Sequence, residues 1–252
     1  MPLTFIGTGV WEETDISLKG LVALEHSDVV FAEQYTSETE QGALVRLSRM
    51  ANKEVRVLTR EEVEDGRIIL NEAKSKRVAF LVAGDPMIST THLALKLEAL
   101  RRGIPVRIIH ASSILSAAIS ESGLHVYKFG RPVTLAFWSD DYRPMTPYEV
   151  IEDNLKRDLH TMLFLDIKEG KRMSAREALE LLMEMERVAK RKVVSKGTKL
   201  VVLSKIGSEV QKISYGTIEQ LAKADLGGTP HIIILPGKLH FTEEEALAPY
   251  AV

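Results

Sequence analysis

At about 150 residues per domain, a chain of 252 residues makes one large domain or two smaller ones. Lys and Arg number 33 against 35 Asp and Glu, a formal charge of −2, so no global basic field favours nucleic acid or acidic lipid. The sequence has no cysteine, which excludes disulfides, thiol nucleophiles, iron–sulfur clusters and cysteine zinc sites.

In chain order, short apolar runs alternate with amphipathic stretches, the pattern of βαβ units. It predicts strands near Leu3–Ile6, Asp28–Ala32, Val55–Leu58, Val78–Ala83 and Pro105–Ile109, with helices near Ser17–Glu25, Gln41–Met50, Glu61–Lys74 and Thr91–Arg102. Thr59 and Glu62 form a capping-box pattern before the third helix, and Gly103 fits a left-handed stop after Arg102. A further helix, Ser112–Glu121, ends at Gly123, and a domain boundary is expected in the Gly123–Pro132 stretch, dividing the chain into 1–123 and 124–252. The second half carries expected strands near Val133–Phe137, Thr161–Asp166, Lys199–Leu203 and His231–Leu235. Helix starts are marked by Thr146-Pro147-Tyr148-Glu149 and Ser174-Ala175-Arg176-Glu177. Two α/β domains are the simplest organisation.

The longest apolar runs, such as Val78-Ala79-Phe80-Leu81-Val82-Ala83, fall far short of the ~20 residues of a membrane-spanning helix. The start Met1-Pro2-Leu3-Thr4-Phe5-Ile6 has no positive n-region and soon meets Glu12 and Glu13. A signal peptide is therefore not expected, and a cytoplasmic location is.

Chemistry is expected where loops follow strands. Gly7-Thr8-Gly9 lets backbone approach a ligand, but Glu12 stands where a dinucleotide fingerprint has its third glycine. Gly84-Asp85-Pro86 follows the most apolar strand, so Asp85 projects into the usual crevice of an open α/β sheet. The competing reading is that Asp85 caps the next helix or tightens a turn. His110-Ala111-Ser112-Ser113-Ile114 follows the fifth strand, with Ser112 the expected cap. The seven histidines show no i, i+4 pair with an adjoining glutamate, so no metal site is expected. Glu243-Glu244-Glu245 reads as an exposed, favourably charged helix start.

The ordered blocks Phe5-Ile6-Gly7-Thr8-Gly9, Ala32-Glu33-Gln34-Tyr35-Thr36-Ser37, Gly84-Asp85-Pro86, Thr90-Thr91-His92, His110-Ala111-Ser112-Ser113-Ile114, Tyr127-Lys128-Phe129-Gly130, His160–Lys168 and Pro236-Gly237-Lys238-Leu239-His240 closely resemble the diphthine synthase branch of the tetrapyrrole-methylase-like, class III methyltransferases. The resemblance spans almost the whole chain. It implies two α/β domains with S-adenosyl-L-methionine in the cleft between them. It also implies methylation of the amino group of a 3-amino-3-carboxypropyl chain on a histidine of translation elongation factor 2, a step toward diphthamide. The archaeal type stops at the trimethylammonium product, and compactness with no cysteine leans to that type.

Carried over residue by residue, the implied cofactor contacts are Val10, Asp85, Ile88, Ser113 and Ile114, then Leu165, Ile206 and His231. Thr8 and Val10 stand where leucines are common in the family, and Ile206 where a small residue is expected. A homodimer is implied, with elongation factor 2 as protein substrate and neither membrane nor nucleic acid as partner. The attacking amine must be neutral, yet no histidine or carboxylate stands out as its base, so no catalytic residue is assigned. Two rival readings share the crevice: a tetrapyrrole methyltransferase of the same fold, and a non-catalytic nucleotide-sensing module.

Overall fold

In the computed structural model, residues 2–37, 39–168 and 170–252 are described. The chain forms two compact units, Met1–Ala117 and Ala118–Val252.

The first unit runs β1 (Leu3–Gly7), α1 (Leu18–Glu25), β2 (Val29–Ala32), α2 (Ala43–Met50), β3 (Val55–Val57), α3 (Arg60–Asp65), α4 (Arg67–Ala73), β4 (Val78–Val82), α5 (Leu93–Arg101), β5 (Val106–Ile109) and into α6 (Ile114–Ser122). Its strands pair in the order β3-β2-β4-β1-β5, and every pairing is parallel. Parallel neighbours need crossovers of a dozen or more residues, which the intervening helices provide.

Burial on both faces explains why β4 is apolar without a break. Val78, Phe80 and Val82 pack with Leu3, Phe5 and residues of α3 to α5 such as Val63, Leu70 and Leu95. Ala79 and Leu81 point the other way, into Ile6, Val30, Leu24 of α1 and Leu47 of α2. The helix expected over 61–74 is two helices, because Gly66 sits at φ +68° between α3 and α4. A side chain there would lie 2.9 Å from Leu95 Cδ1. The apolar period runs straight across this break, which is why it reads as one helix.

The second unit continues with β6 (Val133–Leu135), α7 (Thr146–Leu155), β7 (Thr161–Leu165), β8 (Ile167–Lys168), β9 (Lys171–Arg172), α8 (Ala175–Ala189), β10 (Lys199–Ser204), β11 (Lys212–Thr217), α9 (Ile218–Leu221), β12 (His231–Leu235) and α10 (Phe241–Leu247). The main sheet is β11-β10-β12-β7-β6. Only the β6–β7 pairing is parallel; the other three are antiparallel. Leu163, Leu200, Val202, Ile233 and Leu235 on one face pack against Tyr148 and Ile151 of α7 and Leu179, Leu182 and Met185 of α8. Strand β11 escapes a reading based on apolar runs because Lys-Ile-Ser-Tyr-Gly-Thr is a half-polar edge strand. The capping boxes at Thr59 and Ser174 form as expected. Pro147 lies in the first turn of α7, but Thr146 is itself helical and no side chain caps that helix. No helix among the described residues is long and apolar enough to cross a membrane.

Candidate active site

Strand order brings the loops after β4 and β5 to either side of the loop after β1. Their closeness depends on Gly7, where a Cβ would fall 2.5 Å from the Gly84 carbonyl oxygen and 2.9 Å from Ala111 Cβ. Gly84, at φ +68°, donates its N–H to the Gly9 carbonyl at 2.7 Å. Val10 follows this bridge and is half-buried.

Asp85 is 7% exposed. Its Oδ1 accepts the Met87 N–H at 3.0 Å, and its Oδ2 lies 2.7 Å from His110 Nδ1. It does not cap the following helix: α5 begins at Leu93 behind His92, with no side-chain cap. Beyond Asp85, the Pro86 carbonyl accepts from Thr90 Oγ1 at 2.9 Å and from His92 Nδ1 at 3.1 Å. His92 is 1% exposed, and burial pushes its pKa below the usual imidazole range. This fastened loop presents Ile88, an exposed apolar side chain. After β5, Ser113 rather than Ser112 caps α6, accepting the Leu115 N–H at 3.2 Å, and Ile114 is the first helical residue. Val10, Asp85, Ile88, Ser113 and Ile114 thus share the carboxyl edge of one sheet.

Beside them, an open cleft is lined by Thr8, Glu12, Glu13, Glu33, Leu44 and Leu81 among others. Glu33 is buried and accepts the N–H groups of Tyr35 and Thr36 at 2.9 and 3.0 Å. Burial and the Glu33 charge together push the Tyr35 hydroxyl up to about 12.

In the second unit, the edge where β7 and β10 end is the edge where β12 begins. Leu165, Ile206 and His231 therefore come together although far apart in the chain. His231 uses both ring nitrogens within the protein: Nδ1 accepts from the Ala175 N–H at 3.4 Å and Nε2 donates to the Leu226 carbonyl at 3.2 Å. Burial lowers its pKa, so it is a neutral ring at pH 7, and any contact it makes with a ligand falls to its backbone or ring face.

Glu243 is the largest departure from expectation, since its side chain is fully buried rather than exposed at a helix start. Oε1 accepts from the His125 N–H at 2.8 Å and from His160 Nε2 at 2.9 Å. Oε2 accepts from the His240 N–H at 2.8 Å and from the Lys128 ammonium. Burial raises its pKa, but these donors outweigh it and hold the carboxyl down to about 2. His160 Nδ1 in turn accepts the Gly237 N–H at 2.9 Å. The Tyr127–Gly130 and Pro236–His240 blocks are thereby tied to one carboxylate. The only local signal is His240 three residues before Glu243, an unusual capping box. Among the described residues, no group of three or more His, Cys, Asp or Glu is placed to hold a metal ion.

A profile of the Tetrapyrrole (Corrin/Porphyrin) Methylases matches residues 2–222. The diphthine synthase of Methanocaldococcus jannaschii is 42% identical over 250 residues, covering 97% of each chain. That of Methanocella arvoryzae is 43% identical over 252 residues, covering 99% of this chain and 98% of the relative. A crystal structure of a diphthine synthase superposes with a TM-score of 0.90 at 37% identity, covering 100% of this chain and 96% of the other. With a glycine-closed carboxyl edge in the first unit, a mixed second sheet and likeness over the full length, the chain belongs to the tetrapyrrole methylase family, in its diphthine synthase branch, and is a methyltransferase.

Proposed function

We propose that the chain transfers methyl groups from S-adenosyl-L-methionine to the amino group of the 3-amino-3-carboxypropyl-modified histidine of elongation factor 2, giving the trimethylammonium product of the archaeal type. Full-length identity above 40% to diphthine synthases carries this reading. Val10, Asp85, Ile88, Ser113 and Ile114, with Leu165, Ile206 and His231, are its proposed contacts with the methyl donor. We take 1–123 and 124–252 as the two domains, and the protein as a cytoplasmic homodimer.

The residues of the first unit suit such a donor. A Cβ at Gly84 would meet nothing within 4 Å, so its backbone is open to a ligand. Ile88 offers exposed apolar surface, and Asp85 a buried carboxylate. When bound, the sulfonium supplies an electrophilic methyl carbon. The chain's part is to hold the amine in line with that carbon and to keep water away.

The test is incubation with methyl-labelled donor and elongation factor 2 carrying the precursor side chain, with a tetrapyrrole acceptor in parallel. Label is expected on the factor, and mass spectrometry should find three added methyl groups. Label on the tetrapyrrole alone supports the first rival, and no label on either supports the nucleotide-sensing module. Asp85→Ala should weaken donor binding in calorimetry; unchanged affinity counts against this placement of the site.

A further inference from the structure

An alkylammonium must lose a proton before its nitrogen can attack, and strand topology supplies a group to take it. β4 and β5 both flank β1, so Asp85 and His110 meet across the end of β1, where Gly7 lets the Gly84 and Ala111 backbones close in. Asp85 Oδ2 lies 2.7 Å from His110 Nδ1. A carboxylate oxygen only accepts, so Nδ1 carries the hydrogen and the lone pair of the neutral ring sits on Nε2. The Asp85 side chain is 8% exposed and that of His110 is 72% exposed. A buried carboxylate fixing the tautomer of an open imidazole is the arrangement of a general base.

The other histidines of this unit are not so placed. His92 is 1% exposed. His26 lies just before β2, at the opposite edge of the sheet, with Nδ1 on the Val22 carbonyl at 2.7 Å. Asp85 also keeps spare capacity: a carboxylate has about four acceptor positions, of which Met87 and His110 take one on each oxygen.

We propose that His110, oriented by Asp85, is the general base that deprotonates the acceptor ammonium. The proposal rests on the amine-methylating function above. Nε2 takes one N–H proton, and the freed nitrogen lone pair forms the N–C bond to the methyl. The C–S bond breaks with its electron pair left on sulfur, giving the thioether. The imidazolium then releases its proton to solvent, which reaches this exposed ring. Each transfer to the primary, secondary and tertiary amine removes one proton beforehand, so three protons leave in all, and the quaternary product, with no N–H, ends the series.

The test compares wild type, His110→Ala and Asp85→Asn on modified elongation factor 2. His110→Ala should lower kcat about 100-fold with donor affinity unchanged in calorimetry, and added imidazole should restore much of the loss through the open position. A second readout needs neither donor nor acceptor. Nitrogen-15 spectra of the free protein should show His110 with hydrogen on Nδ1, a preference that Asp85→Asn abolishes. Unchanged kcat in His110→Ala, a loss that tracks weakened donor binding without imidazole rescue, or hydrogen on Nε2 in wild type would each overturn the proposal. If wild type labels no factor, the amine-methylating function fails and the base assignment falls with it. If wild type and His110→Ala label it equally, only the base assignment falls.

Discussion

Single atoms decide the chemistry of the carboxyl edge. At Gly7 the space for a side chain is already filled by the Gly84 carbonyl oxygen and Ala111. Gly7→Ala should therefore destabilise the protein by about 1–3 kcal/mol, as overpacking does, read by urea denaturation, and should weaken donor binding by parting the three loops. The glycine was visible in the chain as part of Gly7-Thr8-Gly9, but its reason was not. The atoms it would strike belong to residues 84 and 111, and only the β4-β1-β5 order puts them there. Asp85 shows the same divide. That it ends a buried strand is legible from the apolar run before it; that its carboxylate meets His110, 25 residues on, is not.

At the scale of elements, caps were the most readable feature because they are local. Thr59 with Glu62 and Ser174 with Glu177 form the boxes that their spacing promised. Ser174 Oγ accepts the Glu177 N–H, and Glu177 returns a bond to the Ser174 N–H at 2.9 Å. Ser174→Ala should cost about 1 kcal/mol, measured as a drop in denaturation midpoint without a change in slope. Elements that lack apolar density, or that break while the apolar period continues, do not show in such local pattern. The edge strand β11 carries no apolar run to mark it, and Gly66 divides one expected helix into α3 and α4. Local pattern reports which faces are apolar; a left-handed residue inside that pattern interrupts the chain without altering the period.

For the whole molecule, the buried groups of the second unit set its response to acid. Glu243 is held at about 2 against an ordinary carboxylate value near 4.3. Its contribution is thus complete above the unfolded value and lost as pH falls from there toward 2. Burial lowers the His160 pKa, so the unfolded chain takes up that proton first and stability declines as pH falls below about 6.5. Thermal unfolding from pH 8 to pH 3 should show a plateau, a shallow decline below about 6.5 and a steeper one below about 4.3. His160→Gln, which still offers Glu243 an N–H donor but does not titrate in this range, should reduce the shallow decline and leave the share due to His92 and His231, whose pKa values burial also lowers; an unchanged curve would remove His160 from the account. Local order along the chain was enough for the α/β class, most of the strands, the helix starts and the blocks that betray the family, because hydrophobic period, capping and motif spacing act over a few residues. Tertiary structure alone decided the antiparallel pairing of the second sheet, the burial of Glu243 among His125, Lys128 and His160, and the meeting of Asp85 with His110. Apart from the β10–β11 pair, those partners lie tens of residues apart or more, and strand order and side-chain packing, which no local pattern encodes, bring them within hydrogen-bonding distance.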